Sequence, residues 1–92
     1  MEDAKVKLTA KIYRGKTIIM EEESVINDEG RFQKQLELSL VEVCKNMGIS
    51  VPMWLSKNTR EFARYKWTTF NADQFFEPVS FDRFEIRLEE NI

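Results

Sequence analysis

The chain has 92 residues, 42% of them hydrophobic and 33% charged, and a net charge of −2, so a single domain spanning residues 1–92 is expected, large enough to fold without disulfide or metal. Cys44 is the only cysteine, which excludes an internal disulfide and the disulfide-stapled secreted class. The first residues alternate charged and apolar side chains, and no uncharged run nears the roughly 18 residues a membrane span needs; neither signal peptide nor membrane segment is expected, and a cytoplasmic location follows.

Residues 4–13 repeat with period two: Val6, Leu8, Ala10 and Ile12 point one way, Lys5, Lys7, Thr9 and Lys11 the other. This predicts a half-buried strand with a lysine-lined face. Gly15 supplies a turn, and residues 17–26 are rich in β-branched side chains, so the two segments read as an antiparallel hairpin. The acidic run Glu21, Glu22, Glu23 would then lie across from the lysines. Residues 27–30, Asn-Asp-Glu-Gly, offer a cap with acidic groups at the positive end of a helix dipole.

Beyond that cap, Phe32, Leu36, Leu40, Val43, Cys44 and Met47 recur at spacings of three and four, which predicts a helix over about 29–47. Gly48 reads as its C′ residue, with Ile49 packing back on the last turn. Residues 51–55, with Pro52 and Trp54, read as a loop or one turn. Asn58 with Glu61 three residues on matches a capping box for a short helix through Arg64. Residues 66–70 read as a strand, and residues 71–74 as a cap opening one turn before Pro78. Finally Phe84, Ile86 and Leu88 alternate with Arg83, Glu85, Arg87 and Glu89, which predicts a last strand.

The expected class is α+β: a small two-layer domain in the order ββααββ, its antiparallel sheet of about four strands carrying one long helix packed on one face. The open edges of such a sheet leave pairing with a second copy available.

The residue inventory weighs against catalysis. There is no histidine, which removes the commonest general base, the commonest metal ligand and the Ser-His and Cys-His pairs. Cys44 lies on the helix's apolar stripe, where a thiol packs as a small hydrophobe. Counting back from Gly30 puts Val25 where a calcium loop needs its first aspartate, and the three glycines form no phosphate-cradling motif. No enzyme, metal or cofactor is therefore expected.

Nine of the eleven aromatic residues fall between Trp54 and Phe84, the first of them interleaved with Lys57, Arg60, Arg64 and Lys66. Most are expected to fill the core, since rings supply much of the core energy of a small domain. Trp54, in a connecting segment, and Trp67, which faces outward if Phe70 faces inward, are the exceptions. Trp, Tyr and Arg dominate protein interfaces, so the leading expectation is a small non-enzymatic interaction or regulatory module that meets a protein partner through Trp54, Lys57, Arg60, Arg64 and Trp67. The alternative is a nucleic-acid-binding accessory protein using the same basic-aromatic patch, joined by Lys5, Lys7 and Lys11. A pI near 5.2 weighs against it.

Overall fold

A computed structural model describes residues 5–26 and 32–91. Strands β1 (Lys5–Arg14) and β2 (Thr17–Ile26) lead into helices α1 (Phe32–Met47) and α2 (Ser56–Tyr65). Strand β3 (Trp67–Asn71), a single 3-10 turn (Ala72–Gln74) and strand β4 (Arg83–Asn91) complete the chain.

The β1–β2 hairpin turns at Gly15, whose φ of 63° is accessible to glycine at little cost. Ile12 pairs with Met20 and Tyr13 with Ile18, so Ile19 is an extra residue that bulges β2 near the turn. The turn is tied to the far end of the chain, because the Gly15 N–H donates to the Asp82 carboxylate and the Arg14 Nε to the Ser80 carbonyl.

All strand pairs are antiparallel, in the order β2-β1-β4-β3. Composition accounts for that order. β1 and β4 carry the most apolar inward rows, including Leu8, Ala10 and Ile12 on one and Phe84 and Ile86 on the other, all buried. They take the two central places. β2, with three consecutive glutamates, and the five-residue β3 take the edges.

Two helices cover one face of the sheet. α1 packs on β2 and β1, and α2 on β3. Leu40, Val43, Cys44 and Met47 of α1, Phe62 of α2 and Phe70 of β3 close over the β1–β4 rows. The expected α+β class with a four-stranded antiparallel sheet holds, but the expected cover of one long helix gives way to helices of 16 and 10 residues, each over its own half of the sheet.

α1 ends where the glycine signal places its end. The Gly48 N–H donates to the Lys45 carbonyl at 3.1 Å and the Ile49 N–H to the Cys44 carbonyl at 3.0 Å, the paired bonds of a Schellman motif. Gly48 has φ of 74°, and Ile49 packs against the core. The cap expected at residues 27–30 lies outside the described residues.

α2 begins earlier than its capping pattern implies. Its first residue is Ser56, and Asn58 sits inside the first turn, its Oδ1 accepting the Leu55 N–H at 2.9 Å. Burial is the reason, since Asn58 is fully enclosed and serves the interior as well as the helix end. At its other end α2 stops at Lys66, which adopts φ of 66° and donates its N–H to the Phe62 carbonyl.

Candidate functional site

The sheet's two faces differ in kind. On the open face, β2 contributes Ile18, Glu21, Glu23 and Val25, β1 contributes Lys7, Thr9, Lys11 and Tyr13, β4 contributes Arg83, Glu85, Arg87 and Glu89, and β3 contributes Trp67 and Thr69. The register sets Lys11 between Glu21 and Glu85, and Lys7 opposite Glu89. Lys7 Nζ reaches Glu23 at 3.1 Å, and Arg87 reaches Glu85 at 3.1 Å. The expected pairing of the acidic run with the first strand's lysines is thus an ion pair for Glu23 and a register neighbour for Glu21, which lies beside Lys11, while Glu22 alternates to the other face. Two guanidiniums lie over rings: Arg83 is 4.1 Å from the Tyr13 centroid and Arg87 is 5.3 Å from that of Trp67.

On the covered face, α1 and α2 leave a trough between them of about 710 Å³. Leu36, Leu40 and Val41 form the α1 wall, Phe62 and Ala63 the α2 wall, and Leu88 of β4 is among the lining residues; Val51, Pro52 and Trp54 contribute from the connecting segment. Glu37 and Lys66 are the charged residues at its surface. Val41 is 49% exposed and Trp54 36%, so apolar surface faces solvent here.

Trp54 is held from several directions. Its ring meets Phe62 edge-on at 6.1 Å and lies 5.7 Å from Phe70, and its indole N–H donates to Thr59 Oγ1 at 2.8 Å. The backbone on either side is clamped. Met53 donates its N–H to the Gln74 carbonyl at 2.7 Å and accepts from Gln74 Nε2 at 2.9 Å, while the Leu55 N–H meets Asn58. Asn58 Nδ2 donates to Thr68 Oγ1 and to the Thr69 carbonyl, its Oδ1 also accepts from Gln74, and Thr68 donates onward to Glu61. All four hydrogen-bonding positions of the Asn58 amide are filled. A segment without regular secondary structure is therefore fixed by a buried polar network, and the ring it carries is pre-positioned.

The five residues expected to form one patch are divided between the faces. Trp54 lines the trough on the helical side. Lys57 is half-buried and donates to the Thr69 carbonyl at 3.1 Å, fastening α2 to β3. Arg60 and Arg64 are exposed on α2. Trp67 lies on the opposite face of the sheet, as expected with Phe70 buried, its centroid 6.3 Å from that of the exposed Tyr65, over which Arg64 sits at 5.8 Å. Of the other clustered rings, Phe62, Phe70, Phe75, Phe81 and Phe84 are core, and Phe76 is 79% exposed in the loop before β4.

The sequence pattern does not single out the trough. One signal was present: Val41, a lining residue, falls outside the apolar stripe that defines α1 and is exposed. Cys44 is enclosed, and burial pushes its thiol up to about 12, away from nucleophilic use. No helix among the described residues is long and apolar enough to cross a membrane. Comparison of the chain with protein-family models, with curated proteins and with solved structures finds no match.

Proposed function

We propose that this domain is a non-enzymatic interaction module that docks apolar side chains of a protein partner in the trough between α1 and α2. The observation that carries the reading is Trp54: a large ring, one-third exposed, at an apolar concavity and held in place by a hydrogen-bonded frame. Rings set in advance in this way lose little entropy on binding and are the typical anchors of interfaces. The absence of histidine from the sequence and the enclosure of Cys44 support a role without catalysis.

A photo-crosslinking amino acid placed at Val41 or Ala63, and in a parallel variant at Glu23 on the open face, tests the reading in cells. A defined protein adduct from the two trough positions but not from Glu23, lost on Trp54→Ala, is the expected result. Equal labelling from both faces, or none from the trough, refutes it.

A second reading draws on the open face, where Tyr13 and Trp67 stand beside Arg83 and Arg87, the residue types that stack bases and neutralise phosphates on a single strand, although each guanidinium now covers one face of its ring. The glutamates alternating with those cations oppose it. Titration with a single-stranded oligonucleotide at two salt concentrations decides: no binding, or binding without a salt slope, removes this reading.

A further inference from the structure

The trough has helical walls, and this restricts what can lie in it. Lining positions recur along α1 at Gln33, Glu37 and Val41 and along α2 at Thr59 and Ala63, continuing to its C-cap Lys66, so the trough follows both helices for about two turns. The backbone N–H and C=O groups within helical walls are bonded inside their own helices. An extended segment laid between them would find no main-chain partners on either wall for the groups it turns inward. A helix satisfies its own main chain and needs to offer only side chains. The apolar part of the trough, from Leu36 and Leu88 to Trp54, matches an apolar stripe of the same two-turn length.

Charge sets the orientation of the flanks. Lys66 lines the trough, and Arg60 is exposed one residue beyond lining residue Thr59. The ion pairs among the described residues are Lys7–Glu23 and Arg87–Glu85, so neither Arg60 nor Lys66 is neutralised by one. The α1 wall presents Glu37 in place of a cation.

Building on the docking role of the trough, we infer that its occupant is one amphipathic helix of a partner protein, with an apolar stripe about two turns long and acidic side chains along the flank that faces α2. The apolar stripe supplies affinity, and the acidic flank selects register and direction against Lys66 and Arg60.

The test uses a displayed library of helical peptides of about twenty residues, with a fixed apolar stripe and randomised flanks, selected on the full 92-residue chain. Binders are counter-screened on Val41→Glu, a half-exposed site whose variant is first shown to keep the wild-type melting profile. The expected binders are lost on Val41→Glu, gain helical circular dichroism on binding and are enriched in Asp and Glu on one flank. Arg60→Glu combined with Lys66→Glu weakens them by about tenfold or more, and lysine on the peptide flank restores the loss. Binders lost on Val41→Glu that are extended, or whose flank carries no acidic enrichment, overturn the helix while leaving the trough as the docking surface. Binders indifferent to Val41→Glu overturn both. An empty selection, or sedimentation showing a second copy seated in the trough, also overturns the inference.

Discussion

Replacing Asn58 by alanine tests whether the buried polar network holds this domain together. The amide makes four hydrogen bonds of 2.8–3.1 Å, to Leu55 N, Gln74 Nε2, Thr68 Oγ1 and the Thr69 carbonyl. Three neighbours keep a second partner when it is removed: the Thr69 carbonyl retains Lys57, Thr68 retains Glu61, and Gln74 still donates to Met53. The Leu55 N–H and one Gln74 N–H are orphaned. At about 1–3 kcal/mol for each, with Leu55 near the surface and so toward the low end, the loss is about 2–4 kcal/mol. For a domain of this size that lowers the melting temperature by roughly 10–30 °C. Urea unfolding followed by tryptophan fluorescence measures it, and the native emission should also shift to the red as Trp54 loses the clamp on Leu55. Asn58→Asp should cost more than alanine, because it turns two donors into acceptors facing the Thr69 carbonyl. An alanine variant within about 0.5 kcal/mol of the parent, a change typical of an unremarkable surface site, would refute the reasoning.

Cys44 should resist a thiol reagent in the native state and react at the rate of unfolding. Its folded pKa, raised to about 12 by burial, means that its contribution to stability is fully present below pH 9 and is lost as pH rises from about 9 toward 12; rapid stoichiometric labelling of the native chain at pH 8 would contradict this. Gly48→Ala should cost about 1–2 kcal/mol in chemical denaturation, because φ of 74° is unfavourable for a side-chain-bearing residue although the space around it is open. Phe84→Ala, in the centre of the sheet, should cost about 3–5 kcal/mol; a loss under 1 kcal/mol would place the core elsewhere. Lys7→Ala should change stability by less than about 1 kcal/mol, since its pair with Glu23 is solvent-exposed.

Elements with one buried face could be read from the chain directly. β1, β4 and α1 each repeat their apolar residues at the period of their own geometry, and Gly48 marks the end of α1 because only a left-handed residue completes that cap. What escaped the pattern depends on contacts between distant segments. Asn58 has the composition of a helix cap, and nothing local distinguishes it from an amide enclosed between α2, β3 and the 3-10 turn. Trp54 and Trp67, thirteen residues apart with Lys57, Arg60, Arg64 and Lys66 between them, resemble one patch in sequence. They fall on opposite faces because the 51–55 segment passes over the helical side while β3 turns Trp67 toward the other. The trough also has no periodic signature, since α1, α2 and β4 each contribute residues and its existence depends on how far apart the helices sit.

The outer margin of β2 has one further consequence. It offers ten residues of unpaired strand, yet a second copy laid along its full length in antiparallel fashion would set Glu21 against Glu22 at the ~5 Å spacing of neighbouring strands. The bulge at Ile19 spoils the straight run toward the turn. Mutual repulsion along that border extends about 30 Å in 0.01 M salt and about 3 Å in 1 M. Concentrated solutions of this chain should therefore stay clear in dilute buffer and begin to associate border to border as salt is added, the reverse of what attraction between opposite charges would give.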